Sequence, residues 1–420
     1  MKDQQDSRSP VDPDLEREVE RQFQYLKFGC LEITPEDEFK SQLRESLKMK
    51  IPLRVKCGID PTGFDVHLGH TVPFRKMRQF QDLGHLGVVI IGDYTACIGD
   101  PTGKAESRSS LSAEDVKQNA KRYMEQVHTI LDPSRTEICY QSEWFQSVTL
   151  RHIIEWAAQT TVAKLLSHET FKERLDKGRP LALHELFYPG LQGMDSVFVK
   201  ADVELGGQDQ KFNVLMGRDY QRHRGMRPQV AMLLPVITGT CGTQKMSKSL
   251  GNYIAIFDEP FEKFGKVMSI PDALMLEYYQ YLGDVTPEEF ELIKVEINSG
   301  ALHPNEAKKR LAERIVGQFH GGDVALEMRQ KFENVFKKGE APEDVQEYSY
   351  RLQAKLSDVL SDSGILPSKT EVRRMAKQGA LSIMDEGKLE DGDLLLNATF
   401  DGKIIKVGKR KFLKLKLRKD

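Results

Sequence analysis

The sequence lacks the features of a membrane protein or of a disulfide-built one. No run approaches the ~20 consecutive apolar residues that span a bilayer. The first thirty residues are polar and charged, with no apolar stretch of signal-peptide length, so a cytoplasmic location is expected. Cysteine is sparse: Cys30, Cys57, Cys97, Cys139 and Cys241 are odd in number and widely separated. Without C-x-x-C or His/Cys zinc spacing they read as reduced thiols, and no metal ligands are assigned. Internal repeats and low-complexity tracts are also missing. Net charge is only −2 over 420 residues, but the balance is uneven. Residues 354–420 carry 15 Lys/Arg and 10 Asp/Glu, and nine of those bases fall between Lys403 and Lys419. A basic terminus on an otherwise acidic chain points to a polyanionic partner.

What is present is a chain long enough for two or three domains, 39% hydrophobic and 30% charged, as in a globular protein. Residues 13–50 read as a helical approach. Strands are predicted at Leu53–Asp60, Val88–Ile91, Glu137–Tyr140, Val203–Gly207 and Val230–Ile237. Helices fall between them, at about Leu68–Leu83, Ser112–Leu131 and Asp209–Arg224. This alternation predicts an α/β fold with a parallel sheet and right-handed crossovers, whose ligands bind at the strand ends. After Asn252 the pattern turns helical, at Phe261–Met268, Asp272–Tyr281, Pro287–Asn298 and Pro304–Val316. Pro271, Pro287 and Pro304 stand near the proposed starts. Residues 338–349 are polar, contain Pro and Gly, and read as a linker.

Two segments carry chemistry. His67-Leu68-Gly69-His70 puts two imidazoles on one side of a helical turn, with a small residue between them that lets a flat ring approach the backbone. Lys245-Met246-Ser247-Lys248-Ser249 offers two ammonium groups and two hydroxyls between Gly242 and Gly251, a set suited to a triphosphate. Neither is specific alone. Their order and separation, with Cys57-Gly58-Ile59-Asp60-Pro61-Thr62, Gly99-Asp100-Pro101-Thr102-Gly103-Lys104, Leu191-Gln192-Gly193-Met194-Asp195 and Gly206-Gly207-Gln208-Asp209-Gln210, resemble the class I aminoacyl-tRNA synthetases, and within them the bacterial tyrosyl-tRNA synthetases. Gly99 to Lys104 is not a P-loop, because Ala105 stands where a hydroxyl residue is needed.

The resemblance implies a Rossmann-like parallel-sheet catalytic domain at 51–252 after an N-terminal helical extension at 1–50. It further implies an α-helical anticodon-binding domain at 253–340, a linker at 341–351 and a small α+β domain at 352–420. That last segment resembles the αL-motif RNA-binding domain, with Arg373, Arg374 and Lys377 on one helix face, suited to backbone phosphates. The implied activity joins tyrosine to ATP as tyrosyl-adenylate and passes the aminoacyl group to tRNA(Tyr), with Mg²⁺ accompanying the ATP and a homodimer as the assembly. His67, His70, Lys245 and Lys248 would serve the phosphates, helped by Lys104 and Arg108. Cys57, Gly58, Asp60, Gly69, Gly207, Asp209 and Gln210 would line the nucleotide. Thr95, Asp100, Tyr188, Gln192 and Asp195 would hold tyrosine, with Asp195 on the phenol and Tyr188, Gln192 and Asp100 toward the ammonium.

Two positions depart from the family pattern. Lys56 stands where many members have a tyrosine, leaving open whether it turns away or pairs with Asp195. Pro73 follows His70 by three residues, tolerable in a first helical turn. Two other classes share parts of the pattern: a small-molecule adenylyl- or nucleotidyltransferase, and an inactive RNA-binding relative. The helical domain and basic terminus argue against the first. The retained lysines, histidines and Gln192/Asp195 set argue against the second.

Overall fold

A computed structural model describes residues 12–61, 66–100, 113–337, 345–384, 386–408 and 411–418. The chain forms two compact units, Met1–Asp258 with Ser269–Leu311, and Glu259–Met268 with Ala312–Asp420. The expected helical segment 253–340 is thus shared between them, and the division falls within one helix, Pro304–His320.

In the first unit the stretch 13–50 is two helices with a strand between them: α1 (Pro13–Lys27), β1 (Glu32–Thr34) and α2 (Glu36–Met49). Asp12 sets the start of α1, its carboxylate accepting from the N–H groups of Asp14 and Leu15 at 3.0 and 3.4 Å. Buried Phe23 and Phe39 then hold α1 against α2, ring centroids 6.0 Å apart. β1 escapes a periodicity reading because three residues are too few to show alternation. It nevertheless pairs antiparallel with the main sheet, Ile33 opposite Met232.

The strands β2 (Arg54–Ile59), β3 (Leu86–Ile91), β4 (Thr136–Tyr140), β5 (Val203–Gly207) and β6 (Val230–Leu234) lie where the sequence predicts them. They are parallel, and with β1 at the edge the order is β1-β6-β5-β2-β3-β4. Val88 to Ile91 point alternately to both faces and none is exposed, so both faces are covered. Such a strand reads as a continuous apolar run. Each of these side chains contributes ~1.5–3 kcal/mol on burial. β3 and β4 are added on one side of β2, and β5 and β6 on the other. The crevice beyond the carboxyl ends of β2 and β5 is therefore the topological switch point, where sheets of this kind bind ligands.

Four helices frame that crevice: α3 (Leu68–Asp82), α4 (Ala113–Val127), α5 (Tyr188–Phe198) and α6 (Lys211–His223). α4 stops at Val127 rather than Leu131, and its expected start, Ser112, lies outside the described residues. Pro73 lies in the second turn of α3, not the first, and so has no N–H for the Gly69 carbonyl. Among the described residues no helix is long and apolar enough to cross a membrane.

The second unit contains helices Pro260–Met268 and Gly322–Lys337, in contact through Phe264 and Phe332 at 5.2 Å, the latter helix beyond any predicted element. It also contains a five-stranded sheet of β7 (Gln346–Tyr350), β8 (Leu381–Ile383), β9 (Gly387–Lys388), β10 (Ile404–Val407) and β11 (Lys411–Leu417), in the order β7-β11-β10-β8-β9. β7 occupies part of the expected linker, while 338–344 lie outside the described residues. Helix α7 (Lys369–Lys377) starts on Ser368, whose hydroxyl accepts from the Glu371 N–H at 3.2 Å. Leu356, Leu360, Val372, Leu381, Ile405 and Leu413 form a fully buried core of their own.

Candidate active site

His67 caps the start of α3 in extended conformation, and its N–H donates to His70 Nδ1 at 3.4 Å. The two imidazoles stack with centroids 3.5 Å apart. Gly69 is small for a reason the sequence did not reveal: a Cβ there would stand 3.1 Å from Cε1 of the His67 ring. Burial, reinforced by Lys248, lowers the His67 pKa to about 4. The protein packed around His70, with His67 and Lys248, shifts it the same way. Both rings are neutral at pH 7, and because His70 accepts at Nδ1 its proton sits on Nε2, ready to donate. An NMR titration of the ligand-free protein is expected to place the His67 midpoint near 4. A midpoint at the ordinary value of ~6.5 would show the ring to be solvated. Since the folded pKa lies below the unfolded one, this group costs stability as pH falls from about 6.5 toward 4.

The lysine segment is a tight loop closed by Met246 N–H to Ile237 O and Gly239 N–H to Gln244 O, both 2.8 Å. Asn252, buried and not singled out by the sequence, holds it from inside. Its Oδ1 accepts from the Ser247 N–H at 2.8 Å and its Nδ2 donates to Lys245 O at 3.0 Å. Gly239 is required there, since a Cβ would fall 2.3 Å from Asn252 Nδ2. The chain then runs back along the histidines, Leu68 N–H donating to Ile254 O at 2.9 Å. Direct contact between the segments is a bond from the Gly69 N–H to Met246 Sδ at 3.3 Å, across 177 residues of sequence.

At the end of β2, Asp60 organises a second group. Its Oδ1 accepts from Thr95 Oγ1 at 2.6 Å and its Oδ2 from the Tyr188 hydroxyl at 2.9 Å. Gly92 makes room, because a Cβ there would lie 2.2 Å from Asp60 Oδ1. Asp60, assigned by resemblance to the nucleotide, is therefore joined to two residues assigned to tyrosine. Gln141, the residue after β4, links this group to Asp195: its Oε1 accepts from the Thr95 N–H at 3.0 Å and its Nε2 donates to Asp195 Oδ2 at 2.8 Å. The strand-end rule is the signal that could have found it.

Asp195 is buried, and its second oxygen, Oδ1, has no hydrogen-bond partner. Burial raises its carboxyl to about 7 against the opposing effects of Lys56 and Gln141, with Glu204 adding to the rise; the Trp144 indole N–H acts to lower it but forms no hydrogen bond, so both it and Oδ1 are without a partner. Lys56 takes neither placement left open by the sequence. Fully enclosed in β2, it cannot reach solvent, and its partner is Glu204, the residue opposite it on β5, at 2.9 Å. Gln192 also faces Glu204, donating from Nε2 at 3.1 Å.

On the other rim, Asp100 Oδ2 accepts from Gln210 Nε2 at 2.7 Å, which brings one tyrosine-assigned residue to one nucleotide-assigned residue. Gly207 leads into Asp209, whose Oδ1 would lie 2.5 Å from a Cβ at that glycine. Cys57 is buried, its thiol pushed up to about 12 by desolvation. Gly58 is exposed with open space above it. Lys104 and Arg108 lie outside the described residues. In the second unit Arg373, Arg374 and Lys377 are all exposed on α7, but Arg373 is paired with Asp393 at 2.8 Å and Arg374 with Glu371 at 2.5 Å.

Residues 48–337 match the family described as tRNA synthetases class I (W and Y). The chain is 47% identical to the tyrosine–tRNA ligase of Moorella thermoacetica, over 96% of this chain and 97% of that one. It is 44% identical to tyrosine–tRNA ligase 2 of Vibrio parahaemolyticus, over 95% and 99%. Among solved structures it is similar to the Archaeoglobus fulgidus tyrosyl-tRNA synthetase complexed with L-tyrosine, with a TM-score of 0.59, 22% identity and coverage of 74% and 99%. A C-terminally truncated mitochondrial tyrosyl-tRNA synthetase of Aspergillus nidulans gives 0.61 at 19% identity, covering 76% and 100%. At these identities the structural likeness is one of fold. A family match over most of the chain and close relatives along nearly all of it lead to one assignment: the chain belongs to the tyrosine–tRNA ligase family of class I aminoacyl-tRNA synthetases.

Proposed function

We propose that the crevice at the ends of β2 and β5 seats tyrosine beside ATP, with the two substrates meeting between Asp60 and the histidine turn. The reaction of this family is ATP-dependent tyrosine–tRNA ligation. The observation that carries the residue assignment is the unpartnered, buried Oδ1 of Asp195. A buried acceptor without a donor costs ~1–3 kcal/mol, and a phenol hydroxyl supplies the donor. Tyr188, Asp60, Thr95 and Asp100 fix the amino acid's polar end, with Gln192.

Adenylation demands little acid–base work, since a carboxylate attacks the α-phosphate and pyrophosphate leaves. The protein's contribution is alignment and stabilisation of spreading negative charge. In this reading the neutral His70 donates from Nε2 to the α-phosphate region, His67 supports it, and Lys245 and Lys248 draw out the pyrophosphate. Lys104 and Arg108 add to the same charge. Gly58, Gly207 and Asp209 receive the adenosine, with Asp209 on the ribose, beside Cys57 and Gln210. The phosphate end offers imidazoles and ammonium groups, which donate to phosphate and are poor magnesium ligands. Mg²⁺ therefore belongs to the ATP, held by phosphate oxygens and water.

The same proposal makes the segment from 352 a tRNA-binding module and the helices around 253–340 the anticodon-binding region. It takes the chain to be a cytoplasmic homodimer. Leu150, Ile154 and Val162, at 74%, 61% and 65% exposure, offer the apolar surface such a dimer would bury. Five free cysteines suit a reducing compartment.

Deleting residues from Ala341 onward tests the division of labour, because it removes the self-contained core around Leu356 and Leu413 and leaves the crevice intact. Pyrophosphate exchange is expected to survive and tRNA charging to fall. Since phosphate contacts release counterions, tRNA binding by the full chain should weaken with salt more steeply than binding by the truncated one. Equal salt slopes with equal charging rates would remove the tRNA role from this module.

A further inference from the structure

The Lys56–Glu204 pair is a charged cluster in the middle of the parallel sheet that none of the roles above employs. The two side chains are 0% and 1% exposed. Burying two charges is costly unless their remaining hydrogen-bonding capacity is met, so the other bonds of the pair identify its purpose. Lys56 Nζ donates to Gln192 O at 2.9 Å and to Ser196 Oγ at 2.8 Å. The Ser196 hydroxyl in turn donates a hydrogen bond to Glu204 Oε2 at 3.1 Å, and Gln192 Nε2 donates to Glu204 Oε1 at 3.1 Å. Gln229 supplies a further donor to Oε2. Gln192 and Ser196 are one turn apart on α5, the helix that also carries Tyr188 and Asp195.

The direction of the Gln192 bond is fixed by chemistry. A carboxylate only accepts, so the amide must turn its NH₂ to Glu204, and its Oε1 is the group left for the crevice. We propose that the Lys56–Glu204 pair is a positioning device for amino-acid recognition: it locks the Gln192 amide with its carbonyl oxygen toward the pocket, as a fixed acceptor for the substrate ammonium. Lys56 balances the carboxylate and grips the Gln192 backbone, so helix and side chain are set together. Without the lock the amide can rotate and present NH₂ to an ammonium, donor against donor. This inference rests on the reading of Gln192 as an ammonium ligand.

The test compares tyrosine with 3-(4-hydroxyphenyl)propanoate, the same molecule without its ammonium. In Lys56→Met/Glu204→Gln the charges are exchanged for neutral groups of similar size, a change that buried pairs commonly tolerate. Glu204→Gln alone is the second variant, with the same result expected. The KM for tyrosine in pyrophosphate exchange should rise about tenfold, with kcat held, while the inhibition constant of the propanoate stays at its wild-type value. Retained propanoate binding also certifies a folded pocket. If propanoate binding weakened in step with tyrosine, the pair would be scaffolding alone, and an unchanged KM would show that it positions nothing. Either result overturns the proposal. Gln192→Ala separates the underlying reading: an unchanged KM there removes Gln192 from the ammonium site, whereas a raised KM there with no effect in the pair variants overturns only the positioning role.

Discussion

His70→Ala is expected to slow single-turnover formation of tyrosyl-adenylate by about a hundredfold to a thousandfold, with tyrosine binding unchanged in equilibrium dialysis. The ring stands at the start of α3, whereas the group proposed to hold the amino acid is the hydrogen-bonded set Asp60–Thr95–Tyr188. Its Nδ1 is occupied by the His67 N–H, so the free Nε2–H is the group that can serve a phosphate. A donor whose contact strengthens only as the α-phosphate gains charge lowers the barrier without tightening the ground state. The same substitution removes the acceptor for the His67 N–H, an effect of about 1 kcal/mol on stability. Thermal unfolding separates that loss from the rate. Unchanged adenylation would reduce the histidine pair to a helix cap.

Asp195→Ala is expected to cut the preference for tyrosine over phenylalanine by about one to two orders of magnitude. On the proposed assignment phenylalanine leaves the buried Asp195 Oδ1 without a donor, and in the variant that penalty disappears. Competition between the two amino acids in pyrophosphate exchange reads the ratio directly. A pH dependence accompanies it. The carboxyl is held near 7 by burial, so in the empty pocket it gains a proton as pH drops below that value and ceases to be a pure acceptor. Tyrosine affinity should therefore be weaker at pH 6 than at pH 8, with phenylalanine affinity flat, and Asp195→Ala should abolish the difference. Full discrimination in the variant would move phenol recognition elsewhere, the unpartnered Trp144 indole N–H being the adjacent group.

The parallel sheet was legible because Val88–Ile91 and Val230–Leu234 are unbroken apolar runs, which only strands covered on both faces need. The histidine and lysine segments were legible because their residue types are rare together. Their contact was not: a backbone N–H bonded to the Met246 sulfur leaves no pattern, since methionine reads as core in any chain. Asn252 and Gln141 were hidden for a related reason. Each works by joining strands or loops distant in sequence, and neither amide stands out locally. Glu204 did leave a trace, an acidic residue inside the apolar strand Val203–Leu205, matched by Lys56 in another strand. What the sequence could not supply was the register that sets them opposite. The short strand β1 is determined by tertiary pairing more than by its own periodicity, whereas helix Gly322–Lys337 carries Ala325, Met328 and Phe332 at helical spacing and was open to a periodicity reading.

β1 also bears on how many copies can assemble. A strand border with unspent backbone donors and acceptors is a template for another chain, and a sheet with two such borders can polymerise without limit. Here Glu32–Thr34 caps the fully apolar β6, leaving on that side only a three-residue border. The longer free border is β4, where Ile138 is 37% exposed. An association through β4 would use the same surface on both partners and consume it, so growth by that route would stop at two. Glu32–Thr34 thus close the border at which a second copy could otherwise be added, and lengthening or deleting that strand is the change most apt to open the sheet to filament growth.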